Sequence, residues 1–300
     1  MPASFTVMRH CLVLLLFLIA LPAAAAERLD ATPRTAVVSA YAPEWPALLA
    51  ATSDPVRHTV AGVVFVTGTM EGKPVVLFLS GVSMVNAAMT TQLAIDHFTV
   101  SRIVFSGVAG GVDPALDVGD VVVADRWAQY LEGAFIREGA APPAPAEFAA
   151  FGMMVAGPVR VARGEAPPER RFWFPADPAM METARTAAIG VPLKRCLAAD
   201  QCLAHTPKIV IGGAGVSGPV FVDNKAFREH VHRTFDAKVL DMETAAVAHV
   251  AYANGVPFIA FRSLSDLAGG DEGANQIQTF LTLASENSAM VVRAFVRALP

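Results

Sequence analysis

The sequence has few cysteines, no concentration of positive charge and only one long hydrophobic run. Its 300 residues include three Cys, and its formal net charge at pH 7 is −4. No dense run of Lys and Arg occurs, so the sequence offers no cluster of positive charge to bind the phosphate backbone of a nucleic acid. We therefore expect no nucleic-acid binding. The His and Cys residues are not spaced as metal ligands are, which argues against a metal site.

The long hydrophobic run stands near the start of the chain, at residues 11–21. Weakly basic residues precede it, Pro22 ends it, and alanines 24–26 give a small-residue cleavage pattern before Glu27. A run this short does not span a bilayer comfortably, and the whole layout is typical of a secretory signal peptide. We therefore predict a signal peptide at 1–26 and an exported mature domain at 27–300. The mature protein would be periplasmic or secreted, with no membrane association; an uncleaved anchor is the alternative.

Removal of that segment leaves two cysteines, Cys196 and Cys202. In an oxidising compartment, a pair this close in sequence predicts a local disulfide. Closing so short a loop would stabilise the fold by about 2 kcal/mol if the bond is unstrained. Two free thiols are the alternative, which export makes less favourable.

Strand and helix patterns alternate along the mature chain without an internal repeat. Apolar, β-branched runs predict strands at 35–40, 60–67, 73–80, 102–106, 118–124 and 208–212. Helices are predicted from about 81 to 97, after Glu243, and at 177–189, 224–235 and 276–299. This alternation predicts one α/β domain with a central mixed, twisted β-sheet flanked by helices. Residues 128–175 are proline-rich and predict an irregular excursion over the surface.

Two glycine-rich segments follow predicted strands. Gly213–Gly218 formally matches the dinucleotide-binding fingerprint, with Asp241 at the expected distance. However, the extended, bulky residues 219–222 follow where a helix should begin, so we do not predict a nicotinamide cofactor. Gly107–Gly111 could be a tight turn without a ligand, but we favour a close approach of the backbone to a ligand.

Three carboxylates have possible chemical roles. Glu243 interrupts an apolar, alanine-rich segment, where a charge is costly unless it is used. Asp266 follows a buried strand, although it could simply cap a helix. These two would lie at the carboxyl ends of two strands joined by one helix, where open α/β sheets build their sites. Glu44 could be an ordinary loop residue, His249 is expected to be a packed or surface residue, and Ser83 lacks the His and Asp of a hydrolase triad.

Five segments together resemble the nucleoside phosphorylase/nucleosidase superfamily of the purine and uridine phosphorylase type. They are Ser106–Gly111, Val118–Val123, Ser217–Asn224, Asp241–Glu243 and Arg262–Asp266. The likeness is greatest to 5′-methylthioadenosine/S-adenosylhomocysteine nucleosidases, and the cysteine-bearing insertion is similar to the plant bark-storage-protein branch. The resemblance implies a three-layer α/β/α domain, a homodimer, and a small purine nucleoside as the bound partner. It implies no metal and no organic cofactor.

The resemblance also implies a role for each carboxylate. Asp266 matches the acid that protonates purine N7, so it must hold its proton near neutral pH. Glu44 matches the base that activates water for attack at the anomeric carbon, and Glu243 matches the residue that binds the ribose hydroxyls. The chemistry would be acid–base glycosyl transfer through an oxocarbenium-like state. Substrate contacts are implied for Met242 on the sugar, Phe221 and Val222 on the base, and Val108, Ala109, Gly110 and Ser265 around them.

Three positions depart from the usual family pattern. Many phosphorylases carry Arg on the strand before the glycine segment and Ser within it, whereas this sequence has Phe105 and Val108. A phosphate dianion would therefore lose a charge partner and a hydroxyl donor. Asp241 replaces a more usual Glu. We predict hydrolysis of the N-glycosidic bond, with 5′-modified adenosines as preferred substrates. A phosphate-dependent phosphorylase and a catalytically silent nucleoside-binding or storage protein are the alternatives.

Overall fold

The computed structural model describes residues 28–139, 148–270 and 273–300. The signal peptide predicted at 1–26, the start of the mature domain at Glu27, and the proline-rich run at 140–146 lie outside the described residues. Within those residues, no helix is both long enough and apolar enough to cross a membrane.

One large mixed sheet dominates the structure. In chain order, its twelve described strands are β1 (Asp30–Ser39), β2 (Thr52–Val60), β3 (Val63–Met70), β4 (Lys73–Leu79), β5 (Phe98–Gly111), β6 (Val121–Val123), β7 (Arg126–Gln129), β12 (Trp173–Pro175), β15 (Ile209–Ile211), β16 (Ala214–Ser217), β17 (Ala237–Asp241) and β18 (Phe258–Asp266). Small two-stranded hairpins are formed by β8 (Gly133–Phe135) with β9 (Met154–Ala156), β10 (Val159–Val161) with β11 (Glu169–Arg171), and β13 (Cys196–Ala198) with β14 (Gln201–Cys202).

Helices cover both faces of this sheet. They are α1 (Trp45–Ala50), α2 (Met84–His97), α3 (Pro178–Ala187), α4 (Lys225–Phe235), α5 (Thr244–Asn254) and α6 (Ile277–Ala298). Successive strand residues point to opposite faces: Ala36 and Val38 pack in one apolar cluster with α2 and α5, whereas Val37 packs in another with α1, α3 and α6. The predicted single α/β domain with helices on both sides of a mixed sheet is confirmed.

The long central strand β5 organises the site. It pairs in parallel with β1 and β18 and, at its last residues, antiparallel with β17. The register places Arg262 opposite Gly107 and Asp266 opposite Gly110. Leu240 also lies opposite Gly110, so the residues that follow β17 reach the same edge of the sheet. Four strand ends that are far apart in sequence therefore meet at one place.

The strand predicted at 102–106 continues through Gly107–Gly111 as part of β5, so the tight turn considered as the alternative for these glycines does not form. Glycine is needed here because side chains from other parts of the chain lie very close to the β5 backbone. A Cβ atom at Gly107 would overlap the side chains of Arg262 and Glu44. The backbone thus approaches the protein's own charged groups closely here.

One other expectation, the irregular excursion, is corrected by the structure. Residues 128–175 contain five three-residue strands, β8 to β12, which are too short for hydrophobic periodicity to reveal. Gly213–Gly218 contains strand β16, and a Cβ atom at Gly215 would overlap the ring of Trp127. These glycines therefore serve packing within the sheet and form no phosphate-binding turn.

On the β13–β14 hairpin, Cys196 and Cys202 lie opposite each other with their sulfur atoms at bonding distance.

Candidate active site

A cavity of about 380 Å³ opens where the ends of β1, β5, β17 and β18 meet. All ten site residues implied by the sequence line it: Glu44, Val108, Ala109, Gly110, Phe221, Val222, Met242, Glu243, Ser265 and Asp266. Nine lining residues were not assigned to the site from the sequence: Ala40, Tyr41, Val82, Val220, Leu240, Asp241, Ile277, Gln278 and Leu281. The cavity therefore combines a group of carboxylates with largely apolar walls.

Glu44 is buried at the end of a short 3₁₀ turn that follows β1. The backbone N–H groups of Ala40 and Tyr41 donate to its Oε2 at 2.8 and 3.0 Å, and that of Val108 donates to Oε1 at 2.8 Å. Burial raises the pKa of the Glu44 carboxyl, opposed by the nearby charge of Arg262 and by these hydrogen bonds. An ordinary loop residue would not be held in this way, so Glu44 belongs to the site.

Glu243 stands at the N-terminus of α5 and is also buried. The backbone N–H of Ser83 donates to its Oε1 at 2.7 Å; Ser83 therefore contributes to the site through its backbone. Burial, and then the negative charge of Asp241, raise the pKa of Glu243 to about 7, while Arg262 opposes this rise. Glu243 is thus not on a solvated helix face, and its charge changes near neutral pH.

Asp266 is the last residue of β18 and is 2% exposed. The hydroxyl of Ser265 donates to its Oδ2 at 2.9 Å, and the N–H of Ala268 donates to Oδ1 at 2.8 Å. The amide of Asn275 also donates to Oδ1, at 3.3 Å. Asp266 is not a helix cap, because the next helix, α6, begins only at Ile277. These contacts fix the carboxyl group on the cavity wall.

Arg262 is the functional residue that sequence reasoning missed. It is fully buried on β18, and its Nε lies 2.8 Å from Oδ2 of Asp241. Its Nη2 lies 3.7 Å from Oε2 of Glu243, and its Nη1 lies 4.0 Å from Oε1 of Glu44. One guanidinium group therefore faces three buried carboxylates. The sequence did carry a signal, since Arg262 interrupts an otherwise apolar strand, where a charge needs partners.

The environment of Arg262 gives a structural role to Phe105, which stands where many phosphorylases carry Arg. The guanidinium carbon lies 4.0 Å from the ring centroid of Phe105, a cation–π contact. Nη1 donates to the carbonyl of Val108 at 3.2 Å. Nη2 is buried and finds no hydrogen-bond partner in the described part of the chain. Arg262 is not among the residues that line the cavity, so its influence on the site passes through the carboxylates that it faces.

His249 plays no part in this site. Its Nδ1 lies 3.1 Å from Nε2 of Gln129, and its ring stacks on Phe174 at 4.7 Å between centroids. Burial lowers its pKa. The prediction of a packed histidine is confirmed. Among the described residues, no group of three or more His, Cys, Asp or Glu side chains is arranged to hold a metal ion.

The protonation of Glu243 gives a first testable expectation. Its pKa of about 7 lies above its ordinary value of 4.5, so between these pH values the folded protein binds this proton more tightly than the unfolded chain. The stabilisation that this bound proton provides is complete below pH 4.5 and is lost as the pH rises through 7. The unfolding free energy should therefore fall less from pH 5 to pH 8 in Glu243→Gln than in the wild type, by roughly 2–3 kcal/mol.

Urea unfolding of both proteins at the two pH values measures this difference. Glu182→Gln serves as the control, because the Glu182 side chain is 74% exposed, and this variant should follow the wild-type pH dependence. Equal pH dependence in wild type and Glu243→Gln would contradict the prediction.

Comparison with known proteins shows which family the chain belongs to. Residues 34–297 match the sequence model of the phosphorylase superfamily. The chain belongs to the phosphorylase superfamily. It is 31% identical over 250 residues to the 5′-methylthioadenosine/S-adenosylhomocysteine nucleosidase of Mycobacterium tuberculosis, covering 82% of this chain and 89% of that one. It is 27% identical to bark storage protein B of Populus deltoides, covering 80% and 79% of the two chains.

A solved structure shares the fold over most of the chain. The 5′-methylthioadenosine/S-adenosylhomocysteine nucleosidase from Neisseria meningitidis, in complex with methylthio-immucillin-A, has a TM-score of 0.68 and 25% sequence identity. The match covers 89% of this chain and 100% of that chain. The superfamily and the likeness to both nucleosidases and bark storage proteins, inferred from the sequence motifs, are thus confirmed.

Proposed function

We propose that the protein hydrolyses the N-glycosidic bond of purine nucleosides, with 5′-modified adenosines such as methylthioadenosine as preferred substrates. The observation that carries this proposal is the convergence of Glu44, Glu243 and Asp266 on one cavity, with Arg262 buried beside the first two. The nucleosidases among the relatives and solved structures support the same chemistry.

The reaction follows from the placement of these groups. Asp266 donates its proton to N7 of the purine, the bond between C1′ and N9 breaks, and its electron pair leaves with the base. Glu44, held by three backbone N–H groups, accepts a proton from the water whose oxygen bonds to C1′. Glu243 accepts hydrogen bonds from the ribose hydroxyls. The negative charges of the site stabilise the oxocarbenium-like transition state.

Water fits the site better than phosphate does. In the described part of the chain, no Lys or Arg side chain lines the cavity. Phe105 and Val108 supply neither a positive charge nor a hydroxyl, and Arg262 is already engaged by Asp241. A phosphate dianion would face Glu44 and Glu243 without a compensating partner. These features support hydrolysis over phosphorolysis.

The walls of the cavity support an uncharged, apolar substituent at the 5′ position. Tyr41, Val82, Ile277 and Leu281 line the cavity beside the carboxylates. An apolar 5′ group would gain burial against them, at about 25 cal/mol for each Å² removed from water. Among the residues that the structure describes, no cationic side chain lines the cavity to meet a 5′-phosphate. Methylthioadenosine should therefore be cleaved with a higher kcat/KM than adenosine.

Incubation of the pure protein with methylthioadenosine, adenosine and inosine, each with and without phosphate, tests this proposal. We expect release of free base without phosphate, and kcat/KM for methylthioadenosine at least about tenfold above that for adenosine, the effect of burying one or two carbon-sized groups. Strict dependence on phosphate would instead establish a phosphorylase. Nucleoside binding without any product would establish the binding or storage alternative, which the three retained carboxylates disfavour.

Export, a Cys196–Cys202 disulfide and a homodimer remain part of this proposal. The signal-peptide pattern at 1–26 supports export, and the facing cysteines of the β13–β14 hairpin suit an oxidising compartment. Val82, which lines the cavity, and Val85 both have exposed apolar side chains, which are compatible with a subunit contact. The mass of the mature protein and light scattering in solution would test these points.

A further inference from the structure

The guanidinium group of Arg262 is positioned by a polar cluster at the start of α5. Its Nε approaches two acceptors at once, Oδ2 of Asp241 and Oγ1 of Thr244, both at 2.8 Å. Nη1 and Nη2 then face Glu44 and Glu243 at 4.0 and 3.7 Å. Whatever holds Nε therefore sets where the other two nitrogens stand in relation to the two glutamates.

Thr244 is fully buried and makes contacts that only a hydroxyl can make. Its Oγ1 donates to Oδ2 of Asp241 and accepts from Nε of Arg262. An ionised carboxylate only accepts hydrogen bonds and a guanidinium only donates them, so a group between the two must do both. A serine hydroxyl meets this requirement, whereas valine and alanine do not.

The carboxylate of Asp241, to which both Thr244 and Arg262 bind, is itself held firmly in place. Its Oδ1 accepts from the hydroxyl of Ser217 and from the N–H groups of Glu243 and Thr244. The carboxylate is thus tied to β16 and to the first turn of α5. Besides this contact from Nε to Asp241, the guanidinium stacks on Phe105 and Nη1 donates to the carbonyl of Val108 at 3.2 Å. Thr244 adds a second attachment at Nε itself, which fixes the near end of the group.

We propose that Thr244 is a positioning residue, whose hydroxyl locks Arg262 in the orientation that directs its Nη atoms to Glu44 and Glu243. The inference rests on the proposed hydrolysis, because these glutamates are the groups that Arg262 arranges. Thr244 does not line the cavity, so its effect on the reaction passes through Arg262. A displacement of about 1 Å in such a site can cost two orders of magnitude in rate.

Kinetics and a crystal structure of Thr244→Val test this role. We expect kcat for base release to fall about 10–100-fold, and Thr244→Ser, which keeps the hydroxyl, to stay within about threefold of wild type. Arg262 lowers the pKa of Glu243 and of Glu44, and Asp241 is the other acid that faces it. A displaced Arg262 should therefore move the acid limb of the kcat/KM profile to higher pH in Thr244→Val only.

Thr91→Val is the matched control, since Thr91 is fully buried and its hydroxyl has no partner among the described residues. It should keep wild-type kcat and pH profile. The proposal is overturned if the crystal structure of Thr244→Val shows Arg262 unmoved, or if the serine variant is as slow as the valine variant. The crystallographic result stands apart from turnover, so inactivity of the wild type on every nucleoside would refute the proposed function alone.

Discussion

Asp266→Asn is expected to lower kcat for base release by about 10²–10⁴-fold while the protein stays folded. The carboxyl group is the proton donor to the leaving base, and an amide cannot supply that proton. The substitution preserves the shape of the side chain. The amide oxygen can still accept from the N–H of Ala268 and from Asn275, and the hydroxyl of Ser265 can turn to the carbonyl of Ala109, which already lies 3.4 Å away.

The measurement is the rate of adenine release from methylthioadenosine, together with thermal unfolding. Asp236→Asn is the matched control. Asp236 is exposed at the end of α4 and has a left-handed backbone conformation, with φ of 51°, that asparagine tolerates. It should retain full activity. Unchanged turnover in Asp266→Asn would rule out the general-acid role.

A second substrate separates loss of the acid from general damage to the site. The leaving group of 4-nitrophenyl riboside departs without protonation, so its hydrolysis by Asp266→Asn should be much closer to that by wild type. A general acid acts only where the leaving group needs a proton in the transition state. Equal losses on both substrates would indicate that Asp266 binds or orients the sugar instead.

The sequence revealed the parts of the site whose signal is local. Glu243 and Asp266 stand out because one charge interrupts an apolar segment and the other ends a buried strand. Glu44 has no such signal, and only resemblance to the family brought it forward. The role of Arg262 depends on carboxylates that lie on β17, at the start of α5 and after β1. No spacing along the chain predicts that these three meet.

The same distinction explains the errors in the fold. Long strands and helices, such as β4 and α6, follow from periodic patterns that extend over several residues. The glycines at 107–111 resemble a turn by composition, but the side chains that require them come from Glu44 and from Arg262. The three-residue strands between 133 and 175 pair with partners that their own sequence does not specify. Tertiary contacts decided each of these cases.

Arg262→Met is expected to destabilise the protein by about 3–5 kcal/mol at pH 8 and by much less at pH 5. Methionine fills similar space but leaves Glu44, Asp241 and Glu243 without their shared cation. Arg262 holds down the pKa values of Glu44 and Glu243, so in the variant both should rise. Carboxyl groups with raised pKa values in the folded state stabilise it at low pH, and this stability is lost as the pH increases.

Chemical unfolding of Arg262→Met at the two pH values distinguishes lost charge compensation from lost packing. A packing defect would lower the unfolding free energy by the same amount at pH 5 and at pH 8. That result would contradict the charge argument. Arg185→Met is the control, since its ion pair with Glu182 is exposed and such pairs contribute at most about 1 kcal/mol. Adding Glu243→Gln to Arg262→Met should recover part of the stability at pH 8, because one of the uncompensated charges is then removed. A buried arginine that only filled space would show no such recovery.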